Sequence, residues 1–265
     1  MAAGLLVGCA ALAWWYAGGL RAMWRKAGRG RGVREWQVAC YGLGLAALVG
    51  ALASPLDRAA DGLFAAHMVQ HLLLLLVAAP LLVLGAPLAP LAWAMPRATR
   101  PKLRLLRYLR PLARPPSAFG LHSLALWAWH VPVLYDGAVN NLGVHVAEHL
   151  SFVVTGVLFW WALLGGGRAG YGAGVLYVFG LAVQSTLLGA LLTFASRPWY
   201  TAHLTSTVHW GLSPLDDQQL AGLIMWIPGG SIYLLTALGL FAAWLGEGAR
   251  SVRRPGPAAH TPARR

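Results

Sequence analysis

Charge is what this sequence is most short of. Only 11% of its 265 residues are Asp, Glu, Lys or Arg, against roughly 25% in an ordinary soluble domain, and just 8 are acidic. That deficit excludes an ordinary water-soluble globule. With 58% hydrophobic residues and a mean hydropathy of +0.58, it places the chain in the membrane class. Cysteine is nearly absent too. Cys9 and Cys40 lie in separate apolar runs, without the spacing of a CxxC motif, a metal site or a disulfide framework, so they read as small apolar fillers. No basic stretch precedes the first apolar run, and LVGCA at 6–10 lacks the approach of a lipoprotein box, so no cleavable leader is expected.

Several enzyme signatures are also missing. No phosphate loop or Ser/His/Asp pattern occurs, and HMVQH at 67–71 and HVAEH at 145–149 both lack the glutamate position of a zincin HExxH. The last apolar run carries no lysine that could form a retinal Schiff base.

What is there is apolar length. Runs at about 3–20, 36–53, 63–86, 118–135, 145–164, 172–194 and 218–245 are each close to the roughly 20 residues that a bilayer core requires. They predict an all-α membrane protein, a bundle of seven transmembrane helices forming one domain over 1–248, followed by a disordered basic tail at 249–265. Lysine and arginine then set the orientation. The first, third and fifth loops and the tail share one face and hold 19 of the 21 basic residues, leaving only Arg58 and Arg197 on the other. The N-terminus is therefore expected outside and the C-terminus in the cytoplasm. The net charge of +13 is a topology signal, and no nucleic-acid partner is expected.

Helix signals are local and specific. SPLDDQQ at 213–219 reads as a helix start, with Ser213 as cap, Pro214 in the first position, and Asp216 and Asp217 at the positive end of the dipole. Pro80 and the PGG at 228–230 are expected to bend or open their spans, which is tolerated only where protein or a wet cavity covers the freed backbone groups.

Histidine is the anomaly. On this topology His67, His71, His130, His145, His149, His203 and His209 fall in the outer half, with only His122 and His260 on the cytoplasmic side. His67/His71 and His145/His149 are i, i+4 pairs, each on one helix face. Two facing helices carrying such pairs can surround one metal ion with up to four imidazoles, a donor set suited to copper, zinc, iron or nickel. The metal ligands expected are thus His67, His71, His145 and His149. Met68, Gln70, His130, Glu148, Asp217 and Met225 are the candidates for further ligands or for groups that hold the histidines from behind. The methionine sulfurs would favour Cu(I). An interfacial histidine can also simply face water or bond a carbonyl, but ionisable groups inside a membrane are functional by default. His203 and His209 are balanced between the two readings, and His122 reads as structural. Haem held by two histidines, a turning-over di-metal centre and a metal-free scaffold are the alternatives.

HMVQHLLLLLVAAPLLVLGAP, WHVPVLYD, HVAEHLSFVVTGVLFWW and SPLDDQQLAGLIMWIPGG together resemble the CtaG family of multi-pass membrane cytochrome c oxidase assembly factors, over about residues 52–245. The resemblance runs through His67, Met68, Gln70, His71, His145, His149, Asp217, Gln218 and Gln219. It implies a non-enzymatic protein of the bacterial plasma membrane that helps mature a haem–copper oxidase through copper handling. Its partners would be oxidase subunits or other assembly factors. It implies no role for His203 or His209.

Overall fold

A computed structural model of the chain describes residues 2–96, 98–99, 108, 110–165 and 169–252. Among these no strand occurs. The helices are α1 (Ala2–Ala27), α2 (Glu35–Leu52), α3 (Pro55–Gly62), α4 (Phe64–Leu72), α5 (Ala79–Leu84), α6 (Leu88–Ala94), α7 (Pro115–Trp129), α8 (Pro132–Asn140), α9 (Leu142–Leu164), α10 (Tyr171–Thr193), α11 (Pro214–Ile224) and α12 (Gly230–Val252). A π-helical segment, Leu73–Ala78, joins α4 to α5, and another, Met225–Gly229, joins α11 to α12. Among the described residues six helical stretches are long and apolar enough to cross a membrane: Ala3–Ala27, Glu35–Leu52, Phe64–Leu84, Leu142–Leu164, Tyr171–Thr193 and Pro214–Glu247.

The expected span at 118–135 differs. The structure divides it into α7, which ends at Trp129, and α8, which starts at Pro132. The reason is local: proline disfavours helical backbone at the residue before it, and Val131 takes an extended conformation. At 15 residues, α7 is about 22 Å long, shorter than a bilayer core. Two other helices run further than expected. α1 continues past residue 20 through Arg21, Arg25 and Lys26, and α12 runs to Val252. Arg97, Arg100, Lys102, Arg104, Arg107, Arg168, Arg253, Arg254, Arg264, Arg265 and His260 lie outside the described residues.

Both expected proline breaks become π-helical turns. The wider turn absorbs the missing amide and leaves carbonyls to be satisfied from outside the helix. At the first, the buried Trp160 indole of α9 donates to the Leu75 carbonyl at 2.8 Å. Packing is tightest where side chains are smallest. α10 and α11 meet through Gly189 and Gly222, where a Cβ on Gly222 would sit 2.5 Å from the Gly189 oxygen, the small-residue contact that brings membrane helices close. Elsewhere α4 packs on α11, α5 and α7 on α9, α2 on α5, and α1 on α6. Outward-facing Leu150, Val154, Leu187, Leu191, Leu234, Leu235 and Leu238 stay exposed, as suits contact with lipid.

Candidate metal centre

The start of α9 is set by Asn141, whose side-chain oxygen accepts from the Gly143 and Val144 amides at 2.9 and 3.2 Å. One turn on, α9 presents His145, Glu148 and His149. The start of α4 is capped from a distance. Both carboxylate oxygens of Asp217, on α11, accept from the Phe64 and Ala65 amides at 2.7 and 3.0 Å. This answers two of the unpaired amides at a helix N-terminus and fixes where His67 and His71 stand.

The two helices bring their histidines together. Ring centroids lie 4.4 Å apart for His67–His71, 5.5 Å for His67–His149, 5.3 Å for His71–His149 and 5.3 Å for His67–His145. Glu148 points between the α4 pair, its oxygens 3.5 Å from His67 Nε2 and 3.6 Å from His71 Nε2. At those separations charge attraction is possible but a hydrogen bond is not. One ligand atom from each of His67, His71, Glu148 and His149 lies within 4.8 Å of all the others, and all four residues are buried. His145, half-buried, stands beside them with its ring 4.3 Å from that of His149. Glu148 therefore occupies the middle of the set, and His145 its edge.

Among the described residues, His67 Nε2, His145 Nε2, both nitrogens of His71 and His149 and both Glu148 oxygens are buried with no hydrogen-bond partner. A buried carboxylate and four imidazoles carrying buried atoms without a hydrogen bond depart from the near-universal pairing of buried polar groups.

Comparison with known proteins identifies the family. The model of the cytochrome c oxidase caa3 assembly factor family (Caa3_CtaG) matches residues 14–247. The chain belongs to this family. It is also similar to an uncharacterised protein of Mycobacterium bovis and one of Mycobacterium tuberculosis, each 28% identical over 266 residues, covering 94% of this chain and 39% of theirs. The chain thus spans about two-fifths of the length of the curated relatives it matches. No solved structure matches it.

In this CtaG-family chain the remaining candidates divide. Gln70 turns to structure: its amide donates to the Ala51 carbonyl at 2.8 Å and to Asp57 at 3.0 Å, tying α4 to α2 and α3. Asp217 is occupied with capping α4. His122 bonds Thr155 at 3.0 Å and stacks on Phe159. Met68, Met225 and His130 are buried and border His71. His209 is exposed and, among the described residues, bonds its own turn at Ser206. His203 is buried in a roof over the site, 2.8 Å from the Tyr135 hydroxyl. Burial holds the His203 imidazole below its ordinary pKa, against the opposing pull of Asp217, Asp136 and Asp61. Cys9 is buried beside an apolar cavity of about 450 Å³ that also reaches His149.

Sequence reasoning missed the roof. Asp136 holds the loop down by accepting from the Thr201 and Ala202 amides and the Thr201 hydroxyl, while the Tyr200 hydroxyl donates to the His130 carbonyl at 3.0 Å. Tyr135 and Asp136 sit in the WHVPVLYD turn and were within reach of that motif. Tyr200 carries no sequence signal.

Proposed function

We propose that the protein holds copper at His67, His71, Glu148 and His149, with His145 at the edge, and passes it to a haem–copper cytochrome c oxidase during assembly. The carrying observation is the unpaired buried carboxylate and imidazoles. Burying such polar groups without hydrogen bonds costs several kcal/mol, and a cation at their centre offsets that cost. Nitrogen and oxygen donors at this spacing fit copper or zinc; membership of an oxidase assembly family favours copper. The metal is cargo, and the protein acts as a carrier without turnover of its own. Its partners are oxidase subunits or fellow assembly factors at the bacterial plasma membrane.

Seven crossings with the histidine end outside fit best. α4 and α9 both begin at the histidine end, so the chain must return to that end between them. α7, packed along α9, is the segment available for the return, extended by α8. The described basic residues Arg21, Arg25, Lys26, Arg29, Arg31, Arg34, Arg110 and Arg114 flank helix ends remote from the histidines, which supports a cytoplasmic placement for them.

The test is elemental analysis of the full chain, purified in detergent and loaded with copper, beside His67→Ala/His71→Ala. Copper near one per chain in the parent and its loss in the variant is the expected outcome. A metal-free parent, or equal copper in both, would sink the proposal.

A further inference from the structure

The histidine cluster has a second chamber beneath it. A largely enclosed cavity of about 20 Å³ is lined by Met68, His71, Leu126, His130, Phe152 and Met225, room for about one water-sized body. Methionine in a core is usually gap filler, and Met68 and Met225 alone would carry no more than that. His130 changes the reading. Its Nδ1 lies 2.7 Å from the Leu126 carbonyl, and a carbonyl can only accept, so Nδ1 carries the proton. In the neutral ring the lone pair is then on Nε2. That Nε2 is buried with no hydrogen-bond partner among the described residues. An imidazole oriented through its far nitrogen by a backbone carbonyl is how proteins prepare a histidine to bind metal. Its ring stands 6.4 Å from that of His71. Both π-helical segments border the same chamber, the first through Leu75 and Leu76 and the second through Met225, and π turns inside helices concentrate at functional sites.

We infer that this chamber is a second metal site, taking Cu(I) through the thioethers of Met68 and Met225 and Nε2 of His130, with His71 shared between it and the outer cluster. The inference rests on the copper reading above and divides it into two stations. Thioether sulfur selects Cu(I). The chamber's ligands are all neutral, so a monovalent ion loses less hydration there than a divalent one, whereas the outer set has Glu148 to balance a second charge. Because His71 borders both sets, a Cu(I) ion moves between them by exchange of ligands, with no change of oxidation state and without returning to water. The deeper station holds soft Cu(I) back from the other metals that imidazoles would accept.

The experiment uses the full chain in detergent, with three proteins: the parent, Met68→Leu/Met225→Leu and His67→Ala/His149→Ala. Leucine nearly conserves methionine volume. Cu(I) affinity is measured by competition with bathocuproine disulfonate, Zn(II) affinity by competition with a zinc chelator, and the copper ligands by X-ray absorption. The parent should show sulfur neighbours around Cu(I). The methionine variant should lose them and bind Cu(I) more weakly by more than the roughly 10–100-fold that loss of a supporting group costs, while its unchanged Zn(II) affinity shows that it is folded. The outer-site variant should lose Zn(II) and keep sulfur-bound Cu(I). Only nitrogen and oxygen around copper in the parent, or unchanged Cu(I) affinity in the methionine variant, overturns the second site. If that copper also disappears from the outer-site variant, the outer site stands alone. Sulfur-bound copper with Zn(II) undiminished in the outer-site variant overturns the outer site and leaves the chamber. No metal in the parent overturns both.

Discussion

Asp217 shows how a single side chain can position the histidine cluster without belonging to it. Its two oxygens cap α4 from a different helix, and Phe64 and Ala65 lie just ahead of His67. Asp217→Ala leaves two buried amides unanswered, each a loss of about 1–3 kcal/mol. The expected result is a lower melting temperature in detergent by scanning fluorimetry, with Asp217→Asn falling between, since its single oxygen can still accept one bond. A melting curve for Asp217→Ala that matches the parent would show that α4 does not depend on the cap. The sequence made Asp217 visible as an N-terminal acid of its own helix; that it serves α4 instead is a fact of packing. Glu148 is the same kind of case. Its place three residues after His145 was legible, but its position at the middle of the cluster depends on how α9 is rotated against α4, which no spacing within α9 reveals.

Between elements, the small-residue contact of α10 with α11 sets the position of Met225. A Cβ at Gly222 would meet both the Gly189 oxygen and Thr193 Oγ1 at 2.5 Å, so Gly222→Ala must push the helices apart. The expected cost is about 1–3 kcal/mol of overpacking, read as a lower melting temperature. Gly230→Ala is the internal control, because its nearest neighbour is Thr186 Oγ1 at an ordinary 3.6 Å; it should leave the melting temperature unchanged or raise it slightly. Equal effects at the two glycines would count against the close approach as the cause. The proline positions were legible as breaks, but the π-helical form they take was not. It depends on groups such as the Trp160 indole, 85 residues away in sequence from the carbonyl it satisfies.

For the whole molecule the proposed sidedness is directly testable. With Cys9 and Cys40 replaced by alanine, a cysteine introduced at the exposed position His209 should react with a membrane-impermeant maleimide on intact cells. One at the exposed Arg31 should react only after the membrane is permeabilised. The opposite pattern would put the histidine cluster on the cytoplasmic side and end the proposal of delivery from outside. Seven runs of apolar residues suggested seven crossings, whereas among the described residues six helical stretches have spanning length and apolarity. Hydropathy alone did not register that Pro132 starts a new helix and leaves α7 short.

By itself the sequence determined that this is an apolar helical chain, where most of its long helices run, and that two histidine pairs each share a helix face. Those properties depend on local composition and on a period of 3.6 residues, which neighbouring residues encode. Tertiary structure alone decided that the two pairs face each other, that Glu148 lies between them, that Asp217 and Gln70 are structural ties, and that His130 meets two methionines in a chamber below. These follow from helix rotation and close approach, set by contacts between residues far apart in the chain.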